Sequence, residues 1–428
     1  MKILIISPNF PPDNTPDMHR IRMMLPYLVE QGHQVVVLAV DSKFTEAPKD
    51  AFLLKTIPKE VKVYRTKAIH YKFTRKLGFG HLAIRSFVFL LSKGNKIIRF
   101  FKPDIAFFST TTFLLMPLAL IWKRKFGLRY LLDFQDPWRN DYYKKLPKHL
   151  RPPKYWAIHR LNSFFEKATL KKVDGIIAVN GSYIEMLEKR YPNFVFHSLV
   201  LPLGTPLSDF KFTEQKDIKL NIELFDNMIN AVYIGVVPDN MFYAIEKILL
   251  AVKIFNSSEQ KKIKLYFIGT NYAPEYLQSY RVLPIAKKLG IEDFVFENPS
   301  RLGYLHSLRL MQKADLLLLP GTTDKSYTAS KFFVYLLAFR PILILFHKQS
   351  PLYNYVRELS NLPYIGFDEQ ENRQELVYKV FDTLTYLLND FNLDIDQKAL
   401  EKYTDKGITK QFIDFIEKIM NQKISKFD

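Results

Sequence analysis

The chain has 428 residues, of which 48% are hydrophobic and 25% charged. At roughly 150 residues per domain, that is a globular protein of two or three cores. It holds no cysteine and only 15 glycines, which excludes disulfides, Cys-ligated zinc, iron–sulfur clusters and cysteine nucleophiles and leaves few Gly-rich phosphate loops. The net charge of +19 is lopsided: residues 1–200 hold 34 basic and 15 acidic side chains, residues 201–428 hold 28 of each.

Along the chain, Lys2–Ser7 reads as a strand buried on both faces, followed by the Pro-rich loop Pro8–Asp17. Met18–Glu30 has helical apolar spacing, with Gly32 suited to its C-terminal cap, and Gln34–Ala39 reads as the next strand. Ile105–Phe108 (strand), Phe113–Lys125 (helix), Tyr130–Phe134 (strand), Ile176–Val179 (strand) and Ser182–Arg190 (helix) continue the alternation. After an irregular stretch, Thr205–Asp217, it restarts with strand Ala231–Ile234 and helix Phe242–Phe255. Strands then follow at Lys264–Ile268, Phe294–Glu297, Leu316–Leu319 and Ile342–Phe346. Two such runs predict two doubly wound Rossmann-like α/β domains facing a cleft, with ligands beyond the carboxyl ends of the strands.

No stretch reaches the roughly 18 uncharged apolar residues of a membrane span. The longest candidate, Phe107–Trp122, is diluted by Ser109 and Thr110–Thr112. The opening MKILIIS leads into Asn9 and Asp13, unlike a secretory signal. The expectation is a soluble cytoplasmic chain.

Two strings concentrate chemistry. DFQDPWRNDYY (Asp133–Tyr143) leaves a strand and gathers Asp133, Asp136, Trp138, Arg139 and Asp141 in one loop. Carboxylates there can act as base, metal ligand or acceptor from sugar hydroxyls, and Trp138 can wall a sugar; the plainer reading is a loop of local hydrogen bonds with Trp138 in the core. In YTASKFFVYLLAFRPILIL (Tyr327–Leu345), Thr328 and Ser330 can cap a helix whose first turn carries Lys331. A lysine there opposes the helix dipole, which makes sense beside a phosphate; the plainer reading is a capped amphipathic helix with Lys331 solvated. Asp394-Ile-Asp396 reads as surface, and the nine histidines show no metal-ligand spacing. GxGxxG, GxxxxGK[ST] and GxSxG are absent, against a nicotinamide enzyme, a P-loop NTPase and a serine hydrolase.

The N-terminal string ILIISPNFPPDNTPDMHRIRMMLPYLVEQGHQVVVLAV resembles the opening β-loop-α-β of GT-B glycosyltransferases of the glycosyltransferase family 4-like group. LLDFQDPW is similar to that group's Asp-Phe-Arg-Asp-Pro-Trp string, and ADLLLLPGTTDKSYTASKFFVYLLAFRPIL to its C-domain string. The resemblance implies a GT-B fold: an acceptor-side domain over 1–208, a nucleotide-sugar-binding domain over 209–405, and a last helix (406–421) crossing back. It implies hexosyl transfer from a nucleotide-sugar to a glycan or lipid-linked acceptor in cell-surface polysaccharide assembly, generally retaining, with no cofactor and no metal. Asp136 is then the acceptor-orienting or proton-handling group. Asn9, Pro12, Arg20, Asp133 and Trp138 stand on the acceptor side, and Gly235, Gly269, Thr328, Ser330 and Lys331 on the donor side. The family's ribose-binding Glu is Val334 in this chain, a following Gly is Phe339, and the Gly-rich loop reads Gly235-Val236-Val237-Pro238. These departures motivate an alternative, a catalytically silent GT-B protein that binds a nucleotide-sugar or glycan as partner or regulator.

The charge points to one more partner. Val61–Pro103 holds eleven Lys or Arg and no acid, with Lys72, Arg75, Lys76, Arg85 and Lys93 interleaved among Phe73, Leu77, Phe79, Phe87 and Phe89–Leu91. That pattern fits peripheral contact of the N-terminal half with an anionic membrane; the plainer reading makes the FVFLL run the buried face of a helix. Nucleic acid is not expected, since no RNA-binding aromatic signature, zinc finger or basic-region heptad is present.

Overall fold

The structure is a computed structural model that describes all residues except 76–79, 140, 142–143, 145–146, 149–150, 152–154, 216–217, 272–277, 326, 328–329, 369–371 and 422–428. By internal packing the chain divides into two units, Met1–Gly204 with Asp405–Asp428, and Thr205–Thr404.

The first unit runs β1 (Lys2–Ile6), α1 (Pro16–Glu30), β2 (Gln34–Val40), β3 (Lys62–Thr66), α2 (Tyr71–Arg75), α3 (Leu82–Phe101), β4 (Ile105–Ser109), α4 (Pro117–Phe126), β5 (Arg129–Phe134), α5 (Tyr155–Leu170), β6 (Gly175–Ala178), α6 (Gly181–Arg190) and β7 (Ser198–Val200). Its seven strands are all parallel, in the order β3-β2-β1-β4-β5-β6-β7. The central strands β1, β4 and β5 are buried nearly end to end, as a parallel sheet covered on both faces requires. Pro117 breaks the helix expected over Phe113–Lys125 into a short 3-10 turn, Phe113–Leu115, and α4: proline suits a first helical turn and not an interior. Strands β3 and β7 were not foreseen. The first, KVYRT, has three consecutive half-buried residues and no alternation, and the second is three residues long, the weak signal of edge strands.

The long helix α3 settles the FVFLL run. Leu90 is buried and Phe87 and Leu91 pack on the core, while Val88 and Phe89 are exposed: a 3.6-residue period cannot bury five consecutive side chains. Arg85 is also buried, donating to the carbonyls of Phe44, Ile69 and Gly80, so it is no interfacial cation. Lys76, Leu77 and Phe79 lie outside the described residues.

The second unit runs β8 (Ile229–Ile234), α7 (Phe242–Ser258), β9 (Ile263–Ile268), α8 (Leu283–Leu289), β10 (Val295–Asn298), α9 (Tyr304–Lys313), β11 (Leu316–Pro320), α10 (Lys331–Leu336), β12 (Ile342–His347), α11 (Leu352–Leu359), β13 (Tyr364–Phe367), α12 (Arg373–Asn389) and α13 (Gln397–Glu401). Its six strands are parallel in the order β10-β9-β8-β11-β12-β13. Asp396, from the Asp394–Asp396 triplet, caps α13 by accepting from the Ala399 amide at 2.8 Å.

The last helix, α14 (Asp405–Asn421), packs on α1 in the first unit. Phe412 meets Phe107 with ring centroids 4.8 Å apart, and Arg129 donates to the end carbonyls of Ile419 and Met420 at 2.9 and 3.0 Å. Gly175 makes that approach possible: a Cβ there would overlap Ile419 and Leu131.

Candidate functional site

In the first unit, adjacent strands β1, β4 and β5 deliver the loops 8–17, 110–112 and 135–141 to one sheet edge. Asp133 ends β5 fully buried. Arg20, also fully buried on α1, holds Asp133 Oδ2 through Nε at 3.1 Å, and donates to the Pro202 carbonyl at 2.9 Å. Ser109 and Gln135 donate to the same carboxylate oxygen at 2.7 and 2.9 Å. The structure thus brings Arg20 and Asp133 together as a buried ion pair that locks the loop. Breaking such a pair from one side leaves an uncompensated charge costing about 3–5 kcal/mol.

Trp138 is 4% exposed and stacks on Phe113 at 5.8 Å, 12° from parallel. Its ring belongs to the hydrophobic core of this unit. Arg139 and Asp141 bind inward as well. Asp141 takes Arg139 at 3.1 Å, Arg190 at 3.0 Å and His159 at 2.8 Å. Burial pushes the Asp141 carboxyl up, but the hydrogen bonds from His159 and Arg139 and the charges of Arg139 and Arg190 outweigh it and hold it at about 2.

Asp136 differs from its neighbours. It is exposed and makes no hydrogen bond or ion pair with a described residue. Partial burial, and then the charge of Asp17, push its carboxyl above the ordinary value. Asp17 is buried at the start of α1, where Thr110 Oγ1 donates to it at 3.2 Å and the Thr111 amide at 3.3 Å. Burial, with the charge of Asp136, also raises the Tyr183 phenol. Asp17, Thr110, Thr111 and Tyr183 were not picked out from the sequence. In the sequence Asp17 reads only as the last residue of the Pro-rich loop and Tyr183 only as a helix residue.

Asn9 and Pro12 stand on the loop after β1, half-buried. That loop is tied down from behind: Lys49 pairs with buried Asp13 at 2.6 Å, the Asp50 amide donates to the Pro12 carbonyl at 2.7 Å, and Arg65 donates to the Pro11 carbonyl.

The second unit presents a cationic edge. Gly235 follows β8 with φ 140°, and Gly269 follows the adjacent β9 with φ 72°. Lys331, at the start of α10, reaches back to the end of β8. Its Nζ donates to Tyr233 Oη at 2.8 Å and lies 4.2 Å from the centre of the Tyr233 ring. A Cβ at Gly235 would collide with that ammonium, so only glycine leaves room for it. No carboxylate pairs with Lys331 among the described residues, and burial lowers its pKa to about 7. Tyr233 donates onward to the Val236 carbonyl at 2.7 Å, and Tyr335 accepts from the Ile234 amide at 3.1 Å.

This is not the helix-end arrangement the sequence suggested. Helix α10 is six residues long, and Ser330 sits in helical backbone with no side-chain cap bond. Thr328 lies outside the described residues. The structure therefore brings Lys331 and Gly235 into contact, puts Gly269 on the neighbouring strand end, and gives Ser330 no capping role. Tyr233, missed because it sits inside an apolar strand run, is the residue that fixes Lys331. Among the described residues, no three His, Asp or Glu side chains gather to hold a metal ion.

Residues 19–198 match the family model Glycosyltransferase Family 4. Sucrose-phosphate synthase from Thermosynechococcus elongatus is similar in structure at TM-score 0.60 and 12% identity, over 98% of each chain. Anabaena HepE in complex with UDP-glucose gives 0.59 and 14%, over 98% of this chain and 100% of that one. A glycosyltransferase from Rickettsia africae gives 0.58 and 13%, over 99% of each. No curated protein matches the chain. The resemblance read from the sequence is borne out to this extent: residues 19–198 match the family model, and the chain has the two Rossmann-like units of the GT-B fold.

Proposed function

We propose that the chain moves a hexosyl group from a nucleotide-sugar held by the second unit to a glycan or lipid-linked acceptor held by the first. The observation that carries the reading is Lys331, a half-buried ammonium held by Tyr233 and paired with no carboxylate among the described residues, under the Gly235 turn at the carboxyl edge of the sheet. In sugar transfer the bond between the anomeric carbon and the diphosphate oxygen breaks, and negative charge grows on the leaving diphosphate. A cation already in place in a dry site stabilises that charge. Gly235 and Gly269 let backbone come close to phosphate, and Ser330 directly precedes the lysine in sequence, two residues after Thr328. The complex of HepE with UDP-glucose supports a nucleotide-sugar as the ligand class.

On the acceptor edge, Asp136 is a carboxylate that no described residue engages. It orients the acceptor hydroxyl or takes its proton as the new glycosidic bond forms. Arg20 and Asp133 hold its loop, and Trp138 backs that loop from the core. Further parts of the reading are a retaining outcome, no metal, a cytoplasmic setting and a role in cell-surface polysaccharide assembly.

A thermal-shift screen of nucleotide-sugars tests the reading. A ligand at a hundred times its Kd adds about 2.7 kcal/mol of stability, and Lys331→Ala should cut that gain roughly in half. If no nucleotide-sugar or nucleoside diphosphate shifts the wild-type protein, the reading fails. Val334 and Phe339, in place of the family's Glu and Gly, favour a second reading, a silent sugar-nucleotide binder. Donor binding without hydrolysis or transfer would establish it.

A further inference from the structure

We infer that the outward face of the helix layer α3–α4–α5 is a docking surface for an anionic lipid bilayer. The inference rests on the proposed function for its purpose, the delivery of a membrane-held acceptor, and on surface chemistry for its argument.

The three helices pack side by side on one face of the first sheet. Together they contain nine Lys or Arg and one acid, Glu166. Glu166 is fully buried, accepting from Arg190 and Tyr191 at 2.7 Å each. The layer therefore shows solvent no carboxylate, while Lys96, Arg99, Arg124, Lys125, Arg160 and Lys167 are exposed. The opposite layer of the same sheet is mixed: Glu30 on α1 and Asp414 and Glu417 on α14 are exposed beside Lys410 and Lys418. The single sign thus belongs to these three helices: α6, which packs on the same core, exposes Glu185 and Glu188 beside Lys189.

Among these cations stand large apolar side chains. On α3, Val88, Phe89 and Phe100 are exposed, Phe100 at 86%. On α5, Ile158, Leu161 and Phe164 are exposed, Phe164 at 67%, with Trp156 one turn before Arg160. Leu161 and Phe164 share one stripe with Arg160 and Lys167 beside it, the pattern of an element lying in a bilayer interface. Cations attract anionic headgroups, and the apolar tips gain by leaving water. A nucleic acid would use the cations but not aliphatic Val88, Ile158 and Leu161. A second copy of the chain would set one positive face against another.

Trp156 offers a direct readout, because Trp122 and Trp138 are buried and Trp156 is exposed. Full-length protein is mixed at low salt with vesicles of phosphatidylcholine alone or with 30% phosphatidylglycerol. Co-sedimentation and a blue shift of tryptophan emission are expected with the anionic vesicles only, both weakening as salt rises. The double variant Arg160→Glu/Lys167→Glu should lower partitioning at least about tenfold, as should Lys96→Glu/Arg99→Glu. Lys261→Glu/Lys398→Glu, on the second unit, should not. Trp156→Phe should still sediment but lose the shift. Wild-type protein staying in the supernatant would overturn the inference, as would an equal loss in the Lys261/Lys398 control. So would salt-dependent RNA binding lost in the same variants without vesicle binding, or a dimer that Phe100→Ser dissociates. Nucleotide-sugar binding in the absence of vesicles reads the proposed function separately, so the two can fail independently.

Discussion

The two sheet edges solve opposite electrostatic problems. The first unit belongs to the half that carries the whole +19, yet its edge exposes a carboxylate, Asp136, pushed up by partial burial and by Asp17. The second belongs to a half of zero net charge, yet its edge holds an ammonium, Lys331, pushed down by burial alone. Net charge thus says little about either site. It acts over distance on surfaces and partners, whereas a site's ionisation is set by what lies within a few ångströms. The edges also differ in construction. The loop after β5 is secured by a buried ion pair, Arg20–Asp133, that touches solvent nowhere, while on the second edge one tyrosine holds Lys331 itself.

Four substitutions test this contrast. Arg20→Met should have the largest effect, since it leaves Asp133 charged and buried: a loss of about 3–5 kcal/mol in denaturant unfolding of the first unit. A loss under about 1 kcal/mol would show that Ser109 and Gln135 alone satisfy the carboxylate. Asp136→Asn should lower turnover by roughly a hundredfold with stability and donor affinity kept. Because the Asp136 pKa is raised and the ionised form acts, wild-type turnover should fall as pH drops through a value above the ordinary 3.8, and the variant should lose that acid limb. Unchanged turnover would reduce Asp136 to a loop residue.

Lys331→Met should weaken nucleoside-diphosphate binding about tenfold, which calorimetry reads directly. In the free protein the lysine is charged below about 7 and neutral above, so wild-type affinity should decline as pH rises through that value, and binding at pH 8 should take up protons. The variant should show neither behaviour. It should also unfold no more easily, because an amine whose folded pKa is depressed lowers stability in full below about 7, a cost that is relieved as pH rises from there to the ordinary 10.5. The smallest effect is expected at Phe339, the one apolar residue in left-handed backbone among those described (φ 52°). Phe339→Gly should raise stability of the second unit by about 1 kcal/mol, or roughly 2–4 °C in Tm.

Much of the architecture was legible because buried parallel strands announce themselves. KILII, IAFFS and LLLLP are apolar runs without alternation, and Gly32 and Gly127 mark helix ends, although Pro117 was read through. At Phe339 the sequence showed only a departure from the family's glycine; that its backbone is left-handed came from the structure. Edge strands such as Ser198–Val200 carry too few residues and too little burial to show a period.

The sites were legible by address and not by role. One string contains Asp133, Asp136 and Asp141, and nothing in it separates them. Tertiary structure alone does so, giving Asp133 to buried Arg20, Asp141 to Arg139, His159 and Arg190, and leaving Asp136 exposed. Likewise Lys331 could be assigned to a helix end from its neighbours in sequence, but its partner is Tyr233, 98 residues earlier, brought within 2.8 Å by the pairing of β8 with β11. Local sequence determines which elements form, because backbone propensity and apolar period act over a few residues. The partner and ionisation of a charged side chain depend on what the fold places against it, and those contacts come from distant parts of the chain.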